Sequence, residues 1–241
     1  MSVNKGTVRE MTIHSKILHE EVELIVYLPA AFSPLYKYNV LIAQDGRDYF
    51  NLGRMARVAD DLLHSNQIDN TIIVGVPYKS VADRREKYHP KGEKHEMYKR
   101  FLGEELVPFL DSEFPTYQIG LGRALIGDSL GATISLLTAL EYPNTFGKVI
   151  LQSPYVDDEV LEKVEHYQGS QLEIYHVIGT GETEVKTTNG EVSDFLTPNR
   201  ELRKVIGKKG YPYFYEEFDG SHTWTYWQPD LPRALAYMLK M

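Results

Sequence analysis

The chain has 241 residues, 42% of them hydrophobic and 25% charged, the profile of one soluble globular domain with a large core. A formal net charge of −8 argues against general nucleic-acid binding, which wants a basic surface. With no cysteine there can be no disulfide, thiolate metal site or cysteine nucleophile, and no apolar run reaches the length of a membrane span.

Residues 1–11 are polar and lack an apolar signal region, so a cytoplasmic protein is expected. Residues 7–17 and 21–28 alternate or carry β-branched side chains, and the second run stops at Pro29. The two read as an antiparallel hairpin at one sheet edge. Residues 30–37, with Pro34, form a loop. Residues 38–43, Y-N-V-L-I-A, make a compact buried strand that runs into Gln44-Asp45-Gly46-Arg47-Asp48. Residues 53–66 have helical spacing, with Met55, Val58, Ala59, Leu62 and Leu63 on one face. Residues 71–76, T-I-I-V-G-V, form another buried strand closed by Pro77, and residues 78–94 read as a long polar loop. Helical spacing returns over 96–113, where Pro108 is expected to kink the helix and Phe114-Pro115 to end it.

The stretch R-A-L-I-G-D-S-L-G-A-T-I-S-L-L, residues 123–137, organises the rest. A short apolar strand breaks at Gly127-Asp128-Ser129-Leu130-Gly131, and residues 132–140 follow as a helix that is apolar on nearly every side. Strand, G-x-S-x-G and helix in that order form a nucleophile elbow. A serine on so sharp a turn needs neighbours without bulk, which glycine supplies two positions before and two after. The turn lifts the hydroxyl above the sheet edge and aims the N–H of Leu130 at the place where negative charge would develop.

Residues 148–152 read as a strand, 157–167 as a short helix and 172–178 as a strand opening into Gly179-Thr180-Gly181-Glu182. Residues 184–196 are polar and carry the Asn189-Gly190 turn signal. A helix is expected over 197–208, with Thr197 as N-cap and Pro198 at its first position. Residues 213–218 form the last strand, Asp219-Gly220-Ser221-His222 follows, and 229–239 is the closing helix. Strands alternate with helices, so one α/β domain with a mostly parallel sheet covered on both faces is expected. In such sheets the working residues sit on loops leaving the carboxyl ends of strands.

A serine hydroxyl is a weak nucleophile unless a base takes its proton. Of the eight histidines, His222 alone directly follows the last strand, where the base falls in the order serine, acid, histidine. His89 and His95, in the polar loop, are its rivals. The acid that orients the imidazole should follow the penultimate strand. Glu182 and Glu184 both qualify, with Glu182 favoured as nearer the strand end, and a Ser129–His222 dyad is the remaining option. A second oxyanion donor is expected from the backbone of Arg47 or Gly46, on the loop beside the elbow strand.

Four segments carry a family resemblance that covers almost the whole chain. They are Q-D-G-R-D-Y-F at 44–50, I-V-G-V-P-Y at 73–78, G-D-S-L-G at 127–131, and G-S-H-T-W-T-Y-W at 220–227. The chain resembles the esterase D-type branch of the α/β-hydrolases, which includes S-formylglutathione hydrolases, mycolyltransferases, feruloyl esterases and siderophore trilactone esterases. The resemblance implies an α/β-hydrolase fold, with Ser129 as nucleophile, His222 as base and Arg47 as the second oxyanion N–H. No cap insertion is evident, which suits the compact members.

The implied activity is hydrolysis of short-chain acyl esters through an acyl-enzyme, with no metal or cofactor. Trilactone hydrolysis, thioester hydrolysis and acyl transfer are alternatives on the same site, and a non-catalytic binding module is the alternative of a different class. Tyr155, Trp224 and Tyr88 are candidate pocket walls. The loop 79–100 is locally basic, and Arg84 and Arg85 on it are expected to meet anionic portions of a substrate. The expected partner is a small-molecule ester, with no nucleic acid and no membrane, in a monomer or homodimer.

Overall fold

The computed structural model describes residues 4–169 and 172–240; the first three residues of the polar N-terminal stretch lie outside them. Its centre is an eight-stranded sheet in the order β1-β2-β4-β3-β5-β6-β7-β10. The strands are β1 (Thr7–Ser15), β2 (Glu20–Leu28), β3 (Asn39–Gln44), β4 (Thr71–Val76), β5 (Arg123–Asp128), β6 (Lys148–Gln152), β7 (Glu173–Gly179) and β10 (Tyr213–Phe218). β1 and β2 pair antiparallel, as does β2 with β4. Every pairing from β4 through β10 is parallel. β3, β4, β5 and β6 are buried along their whole length, which is why they read as continuous apolar runs rather than alternating ones.

Helices cover both faces. On one face lie α1 (Gly46–Asn51), α2 (Met55–His64) and α9 (Trp224–Met238), where Tyr49, Met55, Leu62, Leu231 and Leu235 pack on Leu41, Ile73 and Ile126. The other face carries α3 (Val81–Tyr88), α4 (His95–Arg100), α5 (Val107–Glu113), α6 (Leu130–Glu141), α7 (Asp158–His166) and α8 (Leu196–Gly207). Residues 130–139 of α6 are all buried, so that helix is enclosed rather than amphipathic.

Several elements depart from the sequence expectation. The stretch 78–94 is not all loop, because α3 forms inside it. Ser80 caps it by accepting from the Asp83 N–H at 3.1 Å, and Asp83 pairs with Lys87 one turn on. Lys87 also reaches Glu20 at 2.6 Å, which docks this polar helix onto the start of β2. The loop after β3 coils into α1 at Gly46, directly after Asp45 adopts a left-handed conformation. Between α4 and α5 the helix widens into a π-helical segment, Phe101–Leu106, and Pro108 follows at the start of α5. Pro108 has no N–H to bond the carbonyl four residues back, so the wider turn falls where the α-helical ladder is already interrupted.

Residues 184–196 contain a small hairpin of β8 (Val185–Lys186) and β9 (Val192–Ser193), turning at Gly190 with φ +85°. α8 begins one residue before Thr197, and the Asp194 carboxylate accepts from the Thr197 N–H, so Asp194 does the capping expected of Thr197. α9 begins at Trp224, five residues before Pro229, and contains Pro229 and Pro232. Among the described residues, no helix is long and apolar enough to cross a membrane.

Candidate active site

Ser129 sits at the β5–α6 turn with φ +53° and ψ −123°, a strained conformation for a residue with a side chain. The turn forces strand and helix together. A Cβ at Gly127 would lie 2.1 Å from the Gly131 carbonyl carbon, so no side chain fits there. The Ser129 N–H donates to Gln152 of the neighbouring strand at 2.9 Å, and its carbonyl accepts from the N–H of Ala132, Thr133 and Tyr155. Leu130 is the first residue of α6, where a backbone N–H has no intrahelical acceptor.

His222 lies between β10 and α9. Its Nδ1 is 2.6 Å from Oε2 of Glu182, which follows β7 and is fully buried. The other carboxylate oxygen, Oε1, accepts from the Ser153 hydroxyl at 2.7 Å and the Gly179 N–H at 2.9 Å. Trp227 Nε1 donates to the same Ser153 hydroxyl at 3.0 Å. The imidazole packs between Phe195, at 4.5 Å between ring centres, and Trp227, at 4.9 Å. The sequence did not single out Ser153. Its φ of +50° just beyond β6 marks a second strained turn at the same sheet edge, and only its Ser-Pro context hinted at one.

Ser129, Leu130 and His222 line one cavity of about 120 Å³. Arg84, Arg85 and His89 bound it from the α3 side, Tyr155 from the loop after β6, and the β8–β9 hairpin with Phe195 from above. The hairpin grows out of the segment that carries Glu182. The N–H groups of Phe195 and Leu196 both return to the Glu182 carbonyl, at 2.9 and 3.1 Å. The Asn189-Gly190 signal found this turn, but its position over Ser129 depends on tertiary packing.

Other expected site residues lie elsewhere. Glu184 is exposed and does not line the cavity. Tyr88 is buried below it, and its hydroxyl accepts from the Asp45 N–H at 3.2 Å, so it braces the β3–α1 turn instead of walling the pocket. Trp224 packs edge-on against Tyr49 and Trp227, on the α1 side, because it opens α9. The Arg47 side chain pairs with Glu23 and borders a neighbouring groove. Arg84 is not a free cation, because its guanidinium is engaged with the buried Asp45. His95 is buried with no partner on either ring nitrogen, and burial pushes its pKa down to about 4. His89 faces the cavity, where burial and the nearby Arg85 hold its pKa below the ordinary histidine value.

Charge behind the elbow is concentrated. Asp128, the residue before Ser129, is buried, and its Oδ1 has no hydrogen-bond partner. Burial, then the Asp45 carboxylate, push its pKa well above the usual carboxylate range. Among the described residues, no cluster of histidine, aspartate and glutamate could hold a metal ion.

The family model described as "Putative esterase" matches residues 15–238. The Bacillus subtilis (strain 168) protein YjcH, described as uncharacterized, is 58% identical over 240 residues, covering 99% of this chain and 100% of that one. An acetyl esterase of Caldicellulosiruptor saccharolyticus is 22% identical over 263 residues, covering 97% of this chain and 98% of the other. Among solved structures, a CE1 ferulic acid esterase from Anaeromyces mucronatus matches with a TM-score of 0.78 at 18% identity, over 98% of this chain and 92% of that one. The likeness identifies the α/β-hydrolase fold.

Proposed function

The chain belongs to the esterase family, and from that membership we propose that it is a serine carboxylesterase acting on short-chain acyl esters. In this reading Ser129 attacks the ester carbonyl and His222 takes the hydroxyl proton, then returns it to the leaving alcohol. Water hydrolyses the acyl-enzyme by the same route in reverse. Glu182 holds the Nδ1–H of His222 and stabilises the imidazolium. The Leu130 N–H receives the oxyanion, together with a backbone N–H at the start of α1, which we assign to Arg47. Arg47 is the second residue of α1, in the first turn, where a backbone N–H has no intrahelical acceptor.

The observation that carries the reading is the shared cavity. Ser129 and His222 line the same small space, and the histidine is already held by a buried carboxylate. A cavity of about 120 Å³ favours an acyl group of a few carbons. The named activity of the acetyl esterase relative points the same way.

A fluorophosphonate probe tests the chemistry. It should label the wild-type protein at Ser129, and Ser129→Ala should abolish labelling and lower kcat on 4-nitrophenyl acetate by about a thousandfold or more. Retention of a tenth of wild-type turnover would remove Ser129 from the mechanism. Absence of labelling would favour a binding module. Acetyl esters should exceed palmitoyl esters in kcat/KM, and faster transfer to added alcohols or thiols than to water would make the protein an acyltransferase.

A further inference from the structure

Three carboxyl groups, those of Asp45, Asp48 and Asp128, lie at the start of α1 and at the elbow, and a single guanidinium, that of Arg84, stands against them. Arg84 Nε donates to Asp45 Oδ1 at 2.7 Å and Nη2 donates to Oδ2 at 2.6 Å, a two-pronged pair whose side chains are 11% and 2% exposed. Nη2 also reaches the Asp128 carbonyl at 3.4 Å. One side chain from α3 thus touches both the turn after β3 and the turn after β5.

Asp45 itself sits where the two turns meet. It holds a left-handed conformation with φ +53°, and its N–H is engaged by the Tyr88 hydroxyl. A Cβ placed on Gly131 would fall 2.9 Å from its Oδ2, so the carboxylate lies directly against the first turn of α6. The proposed oxyanion donors belong to these same two turns, Leu130 on one and Arg47 on the other. Their separation is set by whatever holds the turns together.

Resting on the serine-esterase reading above, we propose that Arg84 is a positioning residue for the oxyanion: its fork fixes the β3–α1 turn against the elbow and offsets the carboxylates behind it. Both parts of the role follow from physical chemistry. An oxyanion forming beside Ser129 would be opposed by an uncompensated Asp45 carboxylate, because buried charges are screened little. Donors stabilise that oxyanion only when preorganised, so a small shift of one turn lowers the rate without loosening substrate. Lysine cannot reproduce the action, since it offers one point charge in place of two coplanar donors.

The test uses Arg84→Lys, which keeps the charge and loses the fork, alongside Arg84→Ala. Neutral 4-nitrophenyl acetate is the substrate, so a charge contact to substrate is not being measured. Arg84→Lys should lower kcat about tenfold to a hundredfold with KM within twofold. It should slow fluorophosphonate labelling of Ser129 by a similar factor. Arg84→Ala should lose more, or fail to fold because Asp45 is left buried without a cation, and the lysine variant then decides the question. Wild-type kcat and labelling rate in Arg84→Lys would overturn the proposal, as would a raised KM with unchanged kcat. A failure of the serine reading is separable: there the wild-type protein itself would not label, or Ser129→Ala would keep its turnover.

Discussion

His222 and Glu182 are separated by 40 positions in the chain, yet Nδ1 of the one stands 2.6 Å from Oε2 of the other. Glu182 reaches this position with both oxygens engaged, Oε1 by Ser153 and Gly179 and Oε2 by the imidazole. A carboxylate so held can fix only one ring orientation and one tautomer. Glu182→Gln should therefore keep the fold and lower kcat by about two to four powers of ten. Glu184→Gln, at an exposed position, should change kcat less than tenfold. Measuring both on one short-chain ester decides the assignment, and equal loss in the two would refute it.

Much of this arrangement was legible in the sequence, for reasons that can be stated residue by residue. Gly127 is dictated by local crowding against Gly131 at the strand-to-helix turn, so that part of the motif carries its own geometry, whereas Gly131 is kept small by Gln44 and Asp45 at the end of β3. His222 and Glu182 were legible because topology puts the ends of parallel strands at one edge. The misreadings have a different origin. α3 was hidden because its polarity resembles a loop, and only the Ser80–Asp83 cap marks it as a helix. Tyr88 and Trp224 are aromatic residues near motif positions, and nothing local says which side of the sheet each one faces. Arg84 and Arg85 look alike in sequence, and only tertiary contact separates them.

Ser153 braces Glu182, the carboxylate that the proposed mechanism uses as its acid. Its hydroxyl stands between Glu182 Oε1 and Trp227 Nε1, donating to one and accepting from the other. Ser153→Ala leaves the buried indole N–H without its acceptor and Glu182 with one donor fewer. The expected cost is about 1–3 kcal/mol in unfolding free energy and about a tenfold loss of kcat with KM little changed. Urea unfolding and steady-state kinetics on the same preparation check both. Wild-type values in each would show that Gly179 alone suffices to hold the acid.

Arg85 and Lys186 are the cavity-lining cations that carry no ion pair among the described residues, and Arg85 is the one on the α3 side. Its neighbour Arg84 is spent on Asp45. Arg85→Ala should raise KM for an anionic ester such as mono-4-nitrophenyl succinate by about threefold to tenfold, the range of a partly exposed ion pair, and leave 4-nitrophenyl acetate unaffected. An equal change for the two esters would make Arg85 a solvated surface charge. A rise in salt should weaken the discrimination in the wild type more than in the variant, where Lys186 is left as the unpaired cavity cation.

The pH dependence of stability should carry the mark of His176. Its ring is fully buried between Tyr213 and Asn199, bonded to each at 2.8 and 2.7 Å, and burial lowers its pKa from 6.5 to about 4. Well above pH 6.5 the ring is neutral in both folded and unfolded chains and contributes no pH dependence. As pH falls from 6.5 toward 4, the unfolded chain takes up a proton that the folded chain refuses, so stability falls. The slope from this one group is about 1.4 kcal/mol per pH unit, and it flattens below pH 4, where both states are protonated. His95, lowered to about 4 as well, acts in the same direction. Asp128 acts in the opposite one: its raised pKa means the folded chain keeps a proton that the unfolded chain releases, which favours the fold as pH falls. A wild-type profile therefore mixes the two signs. The difference between wild type and His176→Gln cancels Asp128 and His95, which lie on other elements. Urea unfolding at several values between pH 4.5 and 7.5 should show the variant losing less stability on acidification, by about one proton's slope. Parallel profiles in the two proteins would mean that His176 titrates in the fold as it does in the unfolded chain.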